Sequence, residues 1–353
     1  MNQELVTVII PSHNRGHFIG RCYNSVAAQT HRPIEVVIVD DFSDDDTSNV
    51  VASLPRHEDL IVKYIRLPMN AGASAARNVA VRASRGETIA FLDSDDVWFP
   101  MHLEVLLKAL TQPGVDVAYG RSEVRESPEA DACIRADYGP TPHEIANLEA
   151  TLYFSNSVLP SVTAVKRSCF ERVGYFDEDR GIHEDWDIVM RAAELGITFA
   201  HVPMVTACYT RPSEESQDKQ LMMLRRTVRT LDKHWRYSLT RHSNRVLCRG
   251  YHRLRLGVFL LREQKTEARK VFYQIFTFGW RSPQLLFASL TGIVSTFGRG
   301  KFRDAFQHAL TLMMRRMRVR YLRLRGVSSC GYTAAKANCF RSRTGAGSPD
   351  SPG

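Results

Sequence analysis

The chain has 353 residues, 47 Lys and Arg against 38 Asp and Glu, and a formal charge of +9. With 44% apolar and 9% aromatic residues it can bury a sizeable core, which excludes a wholly disordered or collagen-like protein. The charge is unevenly placed: residues 1–217 hold 19 basic and 32 acidic residues, a net of −13, and residues 218–353 hold 28 and 6, a net of +22. The length suits roughly two domains of about 150 residues, and the asymmetry suggests two regions with different partners.

Leu5 to Ile10 is a short β-branched run that reads as a buried parallel strand. His17 to Gln29 has helical spacing. Ile34 to Val39 is a second strand, Thr47 to Leu54 a short helix and Ile61 to Leu67 a third strand. An Ala-rich helix follows over Ala73 to Arg82, then a fourth strand over Thr88 to Leu92. Strands alternating with helices predict a parallel sheet covered on both faces. Pro100 to Leu110 reads as a helix and Val115 to Tyr119 as a strand. Glu123 to Leu148 mixes acids, Pro and Gly without a clean period and reads as an irregular insertion. A strand over Val162 to Val165 and a helix over Arg167 to Val173 come next. Asp185 to Leu195 is a helix ended by Gly196, which suits a left-handed position after the last turn. Phe199 to Val205 is a last strand.

From Lys219 helical runs follow one another, with Arg or Lys every few residues. Tyr251 to Leu261, Lys265 to Phe276, Gln284 to Phe297 and Lys301 to Arg318 are the expected helices. Ser328 to Gly353, rich in Ser, Gly and Pro, reads as a disordered tail. The expected division is therefore 1–217, 218–327 and 328–353. Seven Cys with no CxxC spacing argue against a disulfide framework or a zinc site and for reduced cytosolic thiols. The N-terminus does not read as a signal peptide, and no stretch reaches about 18 uncharged apolar residues.

In open α/β sheets ligands sit beyond the carboxyl ends of the strands. Pro11-Ser12-His13-Asn14-Arg15 follows the first strand and Asp40-Asp41-Phe42-Ser43-Asp44 the second. Asn70-Ala71-Gly72 follows the third, with Arg77 a turn or two later, and Asp93-Ser94-Asp95-Asp96 follows the fourth. No GxGxxG follows the first strand, which disfavours a dinucleotide site. Two carboxylates at i and i+2 after a strand repel unless a cation or donors offset them, and hard oxygen ligands suit Mg²⁺ or Mn²⁺ shared with phosphates. A solvated acidic turn would give the same text. Arg77 reads either as a rim residue or as a surface helix charge. Gly181-Ile182-His183-Glu184-Asp185-Trp186-Asp187 reads either as acids complementing a helix N-terminus or as the source of a general base. His13 and His183 are further candidate ligands or bases, although lone His residues are more often structural.

Taken in order, these segments resemble the large inverting glycosyltransferase family 2, with its A-type nucleotide-sugar-binding fold. The matching text is Val8 to Arg15, Ser25 to Thr30, Val37 to Asp44, Asn70 to Asn78, Phe91 to Pro100 and Glu184 to Asp187. The resemblance covers about Leu5 to Ser216. It implies an α/β fold with a mostly parallel twisted sheet and helices on both faces. It implies transfer of a sugar from a nucleoside-diphosphate sugar, a UDP-sugar first among them, to a glycan or lipid-linked acceptor hydroxyl in polysaccharide or glycoconjugate biosynthesis. By the same resemblance Pro11 begins the loop holding the nucleotide base and Asp41 reads that base. Arg77 stands near the base and diphosphate, Asp93 near the ribose and metal, Asp95 binds the Mn²⁺ or Mg²⁺ directly, and Asp185 is the catalytic base. Phe42 stands where the family often has Gly. At Tyr209-Thr210-Arg211-Pro212-Ser213 the family often has a Tyr-Arg-x-His pattern that helps hold the diphosphate or metal. No His stands there, and Arg211 is the substitute on offer. A catalytically silent nucleotide-sugar or glycan-binding protein is the alternative that this departure leaves open.

The basic third has two readings. One is a helical module on an anionic membrane surface, where each Lys or Arg contributes about 1 kcal/mol near the headgroups. The other is a bundle packed on the catalytic domain. The charge favours the first, and the expected location is the cytoplasm, peripheral on the cytoplasmic face of a membrane. No recognised nucleic-acid-binding module is present, so no nucleic-acid partner is expected.

Overall fold

The computed structural model describes residues 4–126, 133–153, 155–211, 216–234, 242–260 and 264–279. They fall into two compact units, one built from residues 1–140 and 148–239, the other from 141–147 and 240–353.

The first unit opens with three β/α steps. Strand β1 (Val6–Ser12) leads to helix α1 (Gly16–Ala27), β2 (Ile34–Asp40) to α2 (Thr47–Ala52), and β3 (Leu60–Arg66) to α3 (Ala73–Ala83). β4 (Thr88–Phe91), the short β5 (Val97–Trp98), α4 (His102–Leu110) and β6 (Val117–Arg125) follow. Next come β7 (Cys133–Tyr138), α6 (Leu148–Thr151), β8 (Thr163–Lys166) and α7 (Ser168–Val173), while α5 (Pro142–Ala146), between β7 and α6 in the sequence, belongs to the second unit. α8 (Glu184–Glu194), β9 (Phe199–Thr210) and α9 (Gln217–Lys233) complete the unit.

The described strands form one sheet in the order β3-β2-β1-β4-β8-β6-β9-β5, with β7 on β6. β1 to β4 are mutually parallel. β8 runs antiparallel to β4 and β6, while β9 runs parallel to β6. The expectation of a mostly parallel α/β sheet holds, with a mixed far half. β1 and β2 are buried at every position because helices cover both faces, which is why they read as mostly apolar runs, interrupted at Thr7 and Glu35. Val6, Val8 and Ile10 point to the face covered by α1 and α4, where Ile19, Tyr23, Leu103 and Leu106 meet them. Ile9, Val37 and Val39 point to the opposite face, against Ala76 and Ala80 of α3 and Phe170 of α7.

Pro11 lies in a central strand without costing a ladder bond. Pairing of β1 with β4 ends at Ile9↔Phe91, so the missing N–H falls beyond the last pair. The strand order reverses between β1 and β4, and a crevice is expected there. Gly196 has φ +70, as its place after α8 predicts.

Three differences from the sequence reading have physical causes. The stretch read as an irregular insertion contains the end of β6, all of β7 and α5. β7 is almost wholly exposed, so it lacks the inside–outside alternation that would have marked it. The last strand runs on to Thr210, because β9 pairs with β6 as far as Arg125. The helix Gln217–Lys233 begins where the charge changes sign, yet it belongs to the first unit. Lys233 pairs with Asp177 and Asp187, and His234 with Asp187 and Glu194, so polar contacts hold it there.

In the second unit α10 (His242–Leu260) packs on α11 (Lys265–Gly279). Tyr251, Leu254, Phe272 and Ile275 are buried, and a Cβ on Gly257 would meet the Phe272 ring at 2.9 Å. The helices expected at Gln284–Phe297 and Lys301–Arg318, and the tail from Ser328, lie outside the described residues.

Candidate active site

Four loops converge beyond the carboxyl ends of β1 to β4. The first two are tied together. The Asn14 N–H donates to the Ser43 hydroxyl at 2.9 Å, and the Asp44 N–H donates to the Asn14 side-chain oxygen at 2.9 Å. Asp40 is fully buried and accepts from the Ser43 N–H and the Tyr64 hydroxyl. Burial and the Asp40 carboxylate push the Tyr64 phenol up to about 12. Phe42 has φ +62, a left-handed conformation that explains why glycine suits this position in the family it resembles.

Asp41 is buried, and its two oxygens accept the backbone N–H groups of Ala71 and Gly72 at 2.6 and 2.8 Å. It thereby closes the loop that starts α3. Gly72 has φ +95 there, and a Cβ would meet Arg180 at 3.2 Å.

α3 delivers Arg77 and Asn78 inward. Arg77 is 4% exposed. It donates from one nitrogen to Asp93 at 2.6 Å and from another to Glu184 at 2.9 Å, with its guanidinium 5.6 Å from the centre of the Phe176 ring. Burial alone would lower its pKa, but the two carboxylates outweigh burial and hold it above the ordinary value. Asn78 spans the Phe176 backbone in both directions and so fixes the segment leading to α8.

The acidic turn after β4 is held from three sides. The Asp93 N–H donates to the Ser161 hydroxyl, and the Asp95 carbonyl accepts from Arg21 and from the Thr210 hydroxyl. Trp98 donates its indole N–H to the Ser161 carbonyl at 2.7 Å. Burial, then the Asp93 charge, raises the Asp95 carboxyl, while Arg15 at 3.8 Å offsets part of this. Asp96 is raised further, first by burial and then by Asp93 and Asp95, and its Oδ2 is buried with no hydrogen-bond partner among the described residues. Among those residues no group of three or more His, Cys, Asp or Glu is arranged to hold a metal. The donor chemistry nonetheless fits a hard divalent ion. Asp93 and Asp95 present carboxylate oxygens whose mutual repulsion one cation would relieve.

α8 brings the second acidic group. Trp186 donates to the Leu152 carbonyl at 2.7 Å and anchors the first turn. Glu184 is spent on Arg77. Burial would raise its carboxyl, but the Arg77 charge prevails and lowers it. The next residue, Asp185, moves the other way, raised by burial and then by the Glu184 charge. Its Oδ2 accepts from the Asn156 amide at 3.0 Å.

A cavity of about 180 Å³ joins these parts. Arg77, Asp93, Ser161, Glu184, Asp185, Tyr209 and Arg226 are among its lining residues. Arg77, Asp93 and Asp185 are therefore brought together. Asp95 stands two residues along the turn, and Pro11 and Asp41 are outside the lining, at the ends of β1 and β2. His13 is exposed and outside the lining. His183 is committed structurally, its ring Nε2 lying 3.0 Å from the Thr227 hydroxyl and 3.2 Å from the Met223 carbonyl. Arg211 is exposed and does not line the cavity. Sequence reasoning missed Asn156, Ser161 and Arg226. Asn156 and Ser161 follow the stretch read as irregular, and Arg226 is one of three arginines on a basic helix, so nothing local marks any of them.

Residues 7–136 match the family model described as glycosyl transferase family 2, and residues 88–315 match that of glycosyl transferase family group 2. Among curated proteins, an uncharacterised glycosyltransferase of Nostoc is 41% identical over 103 residues, 29% of this chain and 32% of that protein. The Escherichia coli UDP-Glc:alpha-D-GlcNAc-diphosphoundecaprenol beta-1,3-glucosyltransferase WfgD is 35% identical over 124 residues, 35% of this chain and 48% of that protein. The chain thus spans less than half the length of these two relatives. Among solved structures, TarS 1–349 of S. aureus superposes with a TM-score of 0.54 at 17% identity, covering 89% of this chain and 91% of that one. The mannosyltransferase PcManGT of Pyrobaculum calidifontis, in complex with GDP-Man and Mn²⁺, gives 0.55 at 20% identity, covering 90% and 86%. Those structural likenesses are of fold. The group-2 match by itself spans more than half of the sequence, so the chain belongs to glycosyltransferase family 2.

Proposed function

We propose that this chain is a metal-dependent inverting glycosyltransferase. It moves a sugar from a nucleoside-diphosphate sugar to an acceptor hydroxyl in polysaccharide or glycoconjugate biosynthesis. One observation carries the reading: the acid after β4, Asp93, and the acid in the first turn of α8, Asp185, face one cavity with Arg77 between their elements. That arrangement supports a donor site beside a proton acceptor. UDP-sugars and GDP-sugars are the donor classes to try first, since WfgD uses UDP-Glc and PcManGT was captured with GDP-Man.

Asp185 takes the proton from the acceptor hydroxyl as that oxygen attacks the anomeric carbon. Its raised pKa makes it a stronger base than an ordinary carboxylate, and Asn156 fixes its orientation. A single displacement inverts the anomeric centre, through a transition state of oxocarbenium character. Asp41 and the loop after Pro11 receive the base, and Asp93 and Asp95 would hold the divalent ion. That ion, when bound, offsets the charge developing on the departing diphosphate. Residues 218–327 dock the enzyme on an anionic membrane surface, a reading supported by 28 basic against 6 acidic residues after Gln217. Among the described residues no helix is long and apolar enough to cross a membrane.

The test is consumption of UDP- and GDP-sugars with Mn²⁺, with and without acceptor glycans. Asp95→Asn and Asp185→Asn should each abolish transfer with the fold intact. Full transfer by either variant sinks the assignment. Nucleotide binding without any turnover by the wild type would favour a silent binding protein instead. Co-flotation with phosphatidylglycerol vesicles, lost at high salt, tests the docking surface.

A further inference from the structure

The cavity beside Asp185 contains two guanidinium groups in different electrostatic states. Arg77 is already neutralised by Asp93 and Glu184. Binding an incoming anion would require it to leave one of them. Arg226 lines the same cavity from α9. Among the described residues it forms no ion pair, and its Nε is buried without a hydrogen-bond partner. A buried donor left unpaired in a polar cavity calls for a missing acceptor. Its charge already acts on Glu184 across the cavity.

Arg226 is also well placed by its helix. The His183 N–H donates to the Thr230 hydroxyl at 2.9 Å, and the His183 ring meets Thr227 and Met223. Residues 223, 227 and 230 share one helical face, and residue 226 belongs to it. That face is therefore fixed against the start of α8, where Asp185 lies. Arg211, by contrast, is exposed and lies outside the lining of the cavity.

We propose that Arg226 binds the diphosphate of the nucleotide sugar, in place of the Tyr-Arg-x-His pattern that Tyr209-Thr210-Arg211-Pro212-Ser213 does not carry. This rests on the glycosyltransferase reading. A planar guanidinium donates two parallel N–H groups to phosphate oxygens, and of the two arginines lining the cavity only Arg226 forms no ion pair among the described residues. The contact would draw the diphosphate toward α9 and leave the Arg77 ion pairs intact.

The experiment is calorimetric titration of the full chain with UDP and with GDP, each with Mn²⁺. Wild type, Arg226→Gln, Arg226→Lys and Arg225→Gln are compared, with thermal melts to check folding. Arg226→Gln should weaken whichever nucleotide the wild type binds by about tenfold or more. Arg226→Lys, which keeps the charge and the stem, should weaken it less, and Arg225→Gln, one position round the helix and exposed, should not weaken it. Wild-type affinity in both Arg226 variants overturns the proposal. So does a loss confined to the acceptor KM in transfer assays, because Arg226 would then face the acceptor. Should the wild type bind neither nucleotide, the glycosyltransferase reading itself fails, and this inference with it.

Discussion

Glu184 and Asp185 are consecutive, yet their carboxyls are displaced in opposite directions. Glu184 is held down by the Arg77 guanidinium at 2.9 Å, while Asp185 is pushed up by burial and by Glu184 itself. Two adjacent acids thus differ by their surroundings: one is an ion-pair partner, and the other is the base of the proposed reaction. Asp185→Asn should lower the transfer rate by at least about a hundredfold while nucleotide affinity stays within a factor of about two. Because the base must be ionised, the wild-type rate should rise with pH through the Asp185 titration. The midpoint should lie above the ordinary aspartate value of 3.8. Glu184→Gln removes the nearby negative charge, so it should move that midpoint to lower pH. A pH–rate profile unaffected by Glu184→Gln would break the link between the two acids.

Arg77 is the hinge between the β4 acids and the α8 acids, and its removal should be felt in stability before activity. Arg77→Met leaves Asp93 and Glu184 facing each other without a cation. Breaking a buried pair costs about 3–5 kcal/mol, and partial solvent access of both acids puts the expected loss near the lower end, about 3 kcal/mol. Denaturant melts should show it as a lower midpoint with an unchanged slope. Arg77→Lys keeps one charge but not the fork, so it should recover only part of the loss.

The half of the molecule that was easiest to read is the half buried on both faces. β1, β2 and β4 are mostly apolar runs because helices cover each side, and the acidic or polar segments that follow them stand out for the same reason. Gln29 shows a different kind of legibility. It belongs to the family text, but only the structure gives its work: it donates to the Ser25 and Phe99 carbonyls and accepts from the Leu103 N–H, joining α1 to α4. Ser161 was unreadable because what defines it lies far along the chain, and β7 because its exposure removes the alternation that marks a strand. β7 is fixed by pairing with β6, and Ser161 by Asp93 and Trp98. Arg226 was hidden among its neighbours, since composition gives every arginine on α9 the same weight.

Asp41 joins the end of β2, where the proposed function puts the nucleotide base, to the start of α3. Asp41→Ala strands the N–H groups of Ala71 and Gly72, each at a cost of about 1–3 kcal/mol if no water replaces the carboxylate. Asp41→Asn retains one acceptor oxygen and should cost less. Both should weaken nucleotide binding, because the loop they loosen begins the helix that carries Arg77. Thermal melts and nucleotide titrations of the two variants should therefore rank alike, with alanine the worse in each. Full nucleotide affinity in Asp41→Ala would remove Asp41 from the binding site.

The polar clasp that holds α9 on α8 should make this part of the fold pH-dependent in both directions. Asp187 is buried, which would raise its carboxyl, but hydrogen bonds from His234 and Lys233 and the Arg191 charge bring it down to about 2. His234 would be lowered by burial, but Asp187 and Glu194 raise it above its ordinary 6.5. A depressed acid stabilises the fold above its unfolded value of 3.8 and loses that contribution as the pH falls toward about 2. A raised histidine stabilises it fully below 6.5 and loses that contribution as the pH rises through its folded value. The clasp should therefore be strongest between about pH 4 and about pH 6.5. His234→Gln should flatten the decline in melting temperature on the alkaline side and leave the acid limb in place. Asp187→Asn should flatten both limbs, because Asp187 is the partner that His234 and Lys233 share. Since α9 carries Arg226 into the cavity, nucleotide affinity should fall alongside the melting temperature above pH 6.5, and His234→Gln should remove that pH dependence too.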